Sequence, residues 1–439
     1  MREVLNRLEE NGFSAYLVGG VVRDIILGRE PKDYDIATSA TPDRVRELFP
    51  RSVPTGEKHG TVTVLYDGMA VETTTLRREG KYSDHRRPDS VEFTDSLKED
   101  LSRRDFTINS MAVGLDGNIY DFFGGLKDIA GGIIRAVGNP RKRFREDALR
   151  MIRAVRFACQ LGFSIEEKTR DCIRTNRRLI TRVSMKRVRE ELNAILLSRE
   201  PHRGVDQMHT LGLLDFIIPE LADWAEVARE AGMGDVIGYT TEVLKYSPAR
   251  LNVRLAALLL GIGRREFTAG DGRGGGPFHR QAGSAALAGE IMDWLKYDRR
   301  TTRSVVALVR EQGIGCNLPE EEKDIKKFIA RAGEENLDDL FDLLLAVAMA
   351  AGQPGGVSAV ENFKRSVKII LKKNDPLRIK DLALNGNDLK ALGIRPGREM
   401  GNILNRLLEV VLENPEANEK SRLLDLARRW RTAYPEKLI

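Results

Sequence analysis

Cysteine is scarce in this chain of 439 residues: there are three, Cys159, Cys172 and Cys316, widely spaced and without a CxxC pair. Their spacing argues against a disulfide framework or a cysteine-rich zinc site, and it fits a reducing compartment. Long apolar runs are missing too. No stretch approaches the roughly 18 apolar residues of a membrane span, and the opening MREVLNRLEENGF is amphipathic without the apolar core of a signal peptide. A cytoplasmic protein with no membrane partner is expected. No internal repeat of fixed period is found. At 439 residues the chain is too long for one ordinary core, so two or more units are expected.

A strong overall charge is also lacking, since the formal net charge is only +6. The distribution is more telling. Between Arg135 and Asp206 stand 19 Lys/Arg against 9 Asp/Glu, an excess that leaves the rest of the chain slightly negative. Such a basic middle suits a polyanionic partner, or else is a solvated helical face.

Strand-like runs in the first third (Tyr16 to Val18, Tyr34 to Ala37, Thr61 to Tyr66, Ala70 to Thr75, Ser110 to Leu115) alternate with helical patterns at Val21 to Leu27 and Asp43 to Leu48. After about Asn139 strand signals fade and the spacing predicts helices, one of them capped by Ser184. Thr268 to Pro277 and Ala351 to Gly356, rich in Gly and Pro, read as loops or linkers.

Four clusters carry chemistry. In YLVGGVVRDIIL, Gly19 and Gly20 fall between strand and helix, where backbone amides approach a phosphate with no Cβ in the way, and Arg23 follows within reach of the same anion. A Gly pair by itself marks no more than a tight turn. In KDYDIAT, Asp33 and Asp35 are two apart on a strand and point to one face; Glu72 on VETTT offers a third carboxylate from a neighbouring strand. Acids so placed repel unless a divalent cation lies between them. Mg²⁺ prefers such hard oxygen ligands, and three acids suit a two-metal site. LSRRDFTINSMAV brings the adjacent Arg103 and Arg104 to neutralise phosphate charge and Asp105 to accept from a ribose hydroxyl, or is a surface ion cluster.

The fourth cluster is RFREDALRMIRAVRF, where Asp147, Arg150, Arg153 and Arg156 recur every three residues. On a helix that stripe drifts, so Asp147 and Arg150 are the pair to meet a base, with Arg153 and Arg156 placed for phosphates, RNA or Asp147 itself. A carboxylate accepts and a guanidinium donates. Cytosine and adenine present an amine donor beside a ring-nitrogen acceptor, whereas uracil and guanine present the reverse. The pair therefore suits C and A. Intrahelical salt bridging is the plainer reading of the same spacing.

Taken together, GGVVRD, DYDIAT, TGEKHGTVTV, VETTTLR, RRDFTINSMA, DFFGG and REDALRMIRAVRF resemble the ordered motifs of the class II tRNA nucleotidyltransferases, over roughly residues 14–200. The resemblance implies an α+β fold: a polymerase-beta-type nucleotidyltransferase head (1–138) followed by an all-helical neck for base recognition (139–200), body (201–370) and tail (371–439). It implies Asp33 and Asp35 as metal ligands for Mg²⁺, Asp147 and Arg150 selecting CTP and ATP without a template, and Gly20, Arg23, Arg104, Arg153 and Arg156 as nucleotide contacts. NGNDLKALGIRPG (Asn385 to Gly397) is similar to the family's tail, implied to hold the tRNA body. LAALLLGIGRREF is similar to the segment where many relatives carry a His-Asp phosphohydrolase signature, but Leu260 and Gly261 take the His-Asp places and His279 alone cannot rebuild that site, so no hydrolase activity is expected. The function implied is addition of C and A to the tRNA 3′ end, with no protein partner required. A CC-only or A-only enzyme, a poly(A) polymerase and a non-catalytic RNA-binding protein are the alternatives. TGEKHGTVTV looks like the CCA side of the family, and the loop from Glu79 to Pro88, read as closing over the nucleotide, favours adding the terminal A.

Overall fold

Consecutive residues Ile36 and Ala37 belong to different apolar cores, as period-two alternation requires of a strand covered on both faces. The computed structural model describes residues 1–31, 33–80, 82, 90–230, 235–260, 262, 277–352 and 354–433. The chain divides into two compact units, Met1–Glu226 and Val227–Ile439, and the expected head and neck both fall in the first.

In chain order that unit has α1 (Arg2–Glu10), β1 (Ala15–Val18), α2 (Gly20–Ile26), β2 (Tyr34–Thr38), α3 (Pro42–Leu48), β3 (Ser52–Gly56), β4 (Thr61–Tyr66), β5 (Met69–Thr75), β6 (Arg77–Glu79), β7 (Val91–Phe93), α4 (Leu97–Ser102), β8 (Ala112–Val113) and β9 (Ile119–Tyr120). One mixed sheet runs β3-β4-β5-β2-β1-β8-β9. Its central pair β2 and β5 is parallel, in the register Asp35 to Glu72, and its other pairs are antiparallel. Ile36 packs with Val4, Leu5 and Leu8 of α1 and Val45 of α3 on one face, while Ala37 packs with Leu97 and Leu101 of α4 on the other. Strand alternation therefore puts Asp35 on the α4 side, two residues before Ala37.

The strand expected over Ser110 to Leu115 shrinks to β8, because Thr107–Asn109 turn as a 3-10 helix just before it. β3, which has no apolar alternation (SVPTG), was not legible in the sequence. β6 and β7 form a separate hairpin; of the loop they flank, residues 81 and 83–89 lie outside the described residues.

The head closes with α5 (Gly125–Gly131) and β10 (Ile133–Ile134), and after it come α6 (Pro140–Glu146), α7 (Leu149–Leu161), β11 (Ser164–Ile165), α8 (Glu167–Asn176), α9 (Met185–Leu196) and α10 (Pro201–Thr210). β11 pairs in parallel with β10, so the expected all-helical neck carries one two-residue strand. Ser184 stands at the N-cap of α9 as read, though its hydroxyl makes no capping bond.

Helix α10 packs against α7 and α9 through Gly204, where a Cβ would lie 2.3 Å from Ile195 Cγ2 and 2.9 Å from Cys159 Sγ. Ile195 is fully buried and β-branched, so it cannot swing aside. Gly204→Ala is therefore expected to destabilise this unit by about 1–3 kcal/mol, more than offsetting the ~1 kcal/mol that alanine gains in a helix. The check is the urea midpoint, and an unchanged midpoint would contradict this packing.

Val227–Ile439 is helical throughout its described elements, from Val236–Tyr246 to Lys420–Ala433. The tail-like motif forms a local core of Leu389, Ile394, Ile403, Leu407 and Leu423, with Asn385 and Asp388 closing a capping box on Gly386–Ala391. The second predicted linker joins Leu337–Ala351 to Gly356–Leu371 as expected; the first falls mostly outside the described residues, as do Gly261 and the His279 side chain. No described helix is long and apolar enough to cross a membrane. Cys159 and Cys172 are free thiols.

Candidate functional site

A cavity of about 1200 Å³ opens in the first unit, and each residue singled out from the sequence lines it: Gly19, Gly20, Arg23, Asp33, Asp35, Glu72, Arg104, Asp105, Asp147, Arg150, Arg153 and Arg156. The head contributes through strand ends. β1 delivers the chain to Gly19, whose φ of 79° is a left-handed value that glycine adopts freely. A Cβ there would come within 3.0 Å of Arg104 Nη1 and 3.4 Å of Asp35 Oδ2, so the backbone lies bare beside the acid and the guanidinium.

Asp35 is on β2 and Glu72 is its register partner on β5, while Asp33 sits one residue before the strand, exposed. Burial raises the Asp35 carboxyl above its ordinary range, and the negative charges of Glu72 and Asp33 add to this against the opposing pull of Arg104. Such crowding favours a cation. Among the described residues no three His, Cys, Asp or Glu side chains converge closely enough to form a complete metal cage. Mg²⁺ needs none, because it is held by one or two carboxylates and completes its shell with water and substrate phosphates. Asp33 and Asp35 fit that role. Arg104 Nε, buried and without a hydrogen-bond partner, leaves a cationic donor to spare for an anion.

The cavity's arginines are held by a chain of acceptors. Arg23 Nη1 donates to Asn109 Oδ1 at 2.7 Å, Asn109 Nδ2 donates to Asp105 Oδ1 at 3.2 Å, and Asp105 Oδ2 receives Arg153 Nε at 2.8 Å and Nη2 at 2.6 Å. Asp105 Oδ1 also accepts from Phe106 N at 2.8 Å. A carboxylate has about four acceptor positions, and these hydrogen bonds fill two on Oδ1 and one on Oδ2, with the charge of Arg153 Nη2 close by. Asp105 thus orients Arg153 and Asn109, a role beyond the ribose contact suggested from sequence. Arg23, Arg153 and Arg156 also lie 5.3, 5.3 and 4.5 Å from the ring centre of Phe157, whose negative face attracts all three cations.

Burial alone would raise the Asp105 carboxyl, but Arg153 and Arg150 outweigh it and hold it at about 2. Its unfolded value is ~3.9, so folding favours the ionised form. That stabilisation is complete above the unfolded value and is lost as pH falls through the folded one. Asp105→Asn should therefore be less stable than the parent by about 2–3 kcal/mol near neutral pH, with the gap closing between roughly pH 4 and 2. Urea unfolding across that range is the measurement, and a gap constant with pH would make the loss steric rather than ionic.

The every-third-residue series does not lie on one helix. α6 ends at Glu146 and α7 starts at Leu149, leaving Asp147 in extended conformation between them. Asp147 N closes the last turn of α6 on the Arg143 carbonyl, and Arg150 N opens α7 on the Asp147 carbonyl, a break that spacing alone does not reveal. Asp147 pairs with Arg187, Nη2 to Oδ2 at 2.7 Å. Arg150 is fixed by Glu146 Oε2 at 2.9 Å and by the Arg103 carbonyl at 2.9 Å, and Arg156 by Glu191 at 3.0 Å. Asp147 and Arg150, three apart in sequence, are thus held by different partners. Sequence reasoning missed Arg187, Glu191, Asn109 and Phe157. Asn109 and Phe157 carried a signal, as parts of RRDFTINSMA and REDALRMIRAVRF.

Three family models match the chain. Residues 15–135 match the poly A polymerase head domain, residues 162–225 a model described as a probable RNA and SrmB-binding site of polymerase A, and residues 284–427 tRNA nucleotidyltransferase domain 2. The chain is 39% identical to the CCA-adding enzyme of Lactobacillus helveticus over 95% of its length and 94% of the relative's, and 38% identical to that of Lactobacillus delbrueckii subsp. bulgaricus over 96% and 95%. Its fold is similar to the crystal structure of the Bacillus stearothermophilus CCA-adding enzyme in complex with CTP, with a TM-score of 0.71 and 29% identity over 98% of this chain and 97% of that one.

Proposed function

The chain belongs to the CCA-adding enzymes, a family of tRNA nucleotidyltransferases, and from that membership we propose that it adds C and A nucleotides to the 3′ end of tRNA, using CTP and ATP and no nucleic-acid template. The observation that carries this reading is the meeting of Asp33, Asp35 and Glu72 with Asp147 and Arg150 in one cavity. A non-catalytic RNA-binding protein would need neither set.

In this reading the tRNA 3′-hydroxyl attacks the α-phosphorus of the bound nucleotide, the bond to the bridging oxygen breaks, and pyrophosphate leaves. Asp33 and Asp35 would hold Mg²⁺, which when bound would supply charge stabilisation during phosphoryl transfer. Bare backbone at Gly19 lets the triphosphate approach, and Arg23, Arg104, Arg153 and Arg156 neutralise it. Asp147 accepts from the exocyclic amine of C or A while Arg150 donates to the ring nitrogen. Uracil and guanine would leave both groups facing like partners, which a buried site penalises heavily. The free thiols of Cys159 and Cys172 are consistent with the cytoplasm as its place of action.

The test is incorporation of labelled CTP and ATP, separately and together with Mg²⁺, on tRNA transcripts ending before CCA and ending in CC. Two C and one A added to the first transcript is the expected result. Addition of only C or only A would make the protein a specialist, a run of A would make it a poly(A) polymerase, and tRNA binding without addition would overturn catalysis.

A further inference from the structure

Asp147 gets little support from its own stretch of chain. It lies between α6 and α7 with φ −141° and ψ 107°, so no helical turn restrains its side chain. Leu149 N donates to its Oδ1 at 3.1 Å, and a single bond of this kind leaves the carboxylate plane free to turn. The second restraint comes from forty residues away: Arg187 of α9 donates from Nη1 to Oδ1 at 3.3 Å and from Nη2 to Oδ2 at 2.7 Å. A two-pronged guanidinium contact fixes the plane as well as the distance.

Arg187 is itself firmly placed. Val188, Leu192 and Ile195 of α9 are fully buried, the helix packs against α7, and Glu191, one turn on from Arg187, ties to Arg156 at 3.0 Å and Arg153 at 3.8 Å. The pair is also sheltered, with 22% of the Arg187 side chain and 16% of the Asp147 side chain exposed, so solvent screens it only in part.

We propose that Arg187 is a positioning residue for base selection, clamping Asp147 so that one acceptor direction faces the incoming base. The inference rests on Asp147 being the base-reading acceptor. Of about four acceptor positions on a carboxylate, Leu149 N and Arg187 Nη1 occupy those on Oδ1 and Arg187 Nη2 one on Oδ2. A single position remains, on Oδ2. One exocyclic amine fills it, as cytosine or adenine offers. The carbonyl of uracil or guanine meets a lone pair that cannot turn away. Without Arg187 the carboxylate can rotate and relieve that clash, so wrong nucleotides gain more than right ones lose.

The experiment measures kcat/KM for CTP, ATP and UTP on tRNA lacking CCA, with the parent, Arg187→Ala, Arg187→Lys, Asp147→Ala and the Asp147→Ala/Arg187→Ala double variant. Arg187→Ala should lower the CTP-to-UTP ratio by about ten- to a hundredfold, the cost of a misplaced group. Arg187→Lys, which keeps the charge but loses the fork, should fall between Arg187→Ala and the parent and covers the case in which the alanine variant does not fold. The double variant should be no less selective than Asp147→Ala alone, because the two act as one unit. A parental ratio in Arg187→Ala beside a relaxed Asp147→Ala, an equal fall with all nucleotides, or additive losses in the double variant would each overturn the clamp. An unchanged ratio in Asp147→Ala would instead remove the base-reading assignment, and the clamp with it.

Discussion

Asp35→Asn is expected to abolish nucleotide addition while leaving the protein at least as stable as the parent. Asp35 is held half-buried beside Glu72 and Asp33, and its carboxyl is raised by that burial and by those charges. An acid whose folded pKa lies above its unfolded one loses stability once it ionises, so at neutral pH without divalent cation the charge works against folding. Replacing it by an amide removes that penalty. Transfer should fall by roughly a thousandfold or more, since charge stabilisation at phosphorus by a held cation is worth several kcal/mol and each ~1.4 kcal/mol is a factor of ten. Thermal melts with EDTA and with Mg²⁺ separate the two effects: the cation should raise the parent's midpoint by binding the folded state and leave the variant's unmoved. A variant that kept substantial activity, or melted far below the parent, would remove Asp35 from the metal site.

Asp147→Ala should change what is added more than whether anything is added. Its carboxylate lines the cavity and is held by Arg187 and the Leu149 amide, away from Asp33 and Asp35 in the chain and outside any helix. Deleting it removes the acceptor that a cytosine or adenine amine would meet, and with it the repulsion that a uracil or guanine carbonyl would suffer. Sites that discriminate by buried hydrogen-bonding groups reach preferences of about 10⁴–10⁵. A fall of roughly a hundredfold or more in preference for CTP over UTP is therefore expected. Competition between labelled nucleotides in one reaction reads the ratio directly. An unaltered preference, with activity lowered for all four nucleotides alike, would make Asp147 a structural residue only.

Much of the head was legible because its signals are local. Asp33 and Asp35 two apart in a strand-like run, a Gly pair where strand meets helix, and an arginine within one turn all follow from periods of two and 3.6 residues. The neck was harder to read. Asp147, Arg150, Arg153 and Arg156 keep a regular spacing in sequence, yet the helix breaks after Glu146, and the spacing survives the break unchanged. β3 left no trace because SVPTG has no apolar alternation; it is a strand because β4 offers it an edge.

By itself, then, the sequence determined which residue types would meet and the chemistry they could do: paired acids for a cation, bare glycine for a phosphate, an acceptor and a donor for a base. The tertiary structure alone decided their partners. Asp35 faces Glu72 because a parallel crossover sets β2 and β5 in that register. Asp105 turns inward to Arg153, and Arg187 reaches Asp147 across forty residues because the packing of α9 on α7 places it there. Short-range periodicity governs the first kind of fact. The second depends on contacts between segments far apart in the chain, where burial and charge pairing select one arrangement among many that the local sequence allows.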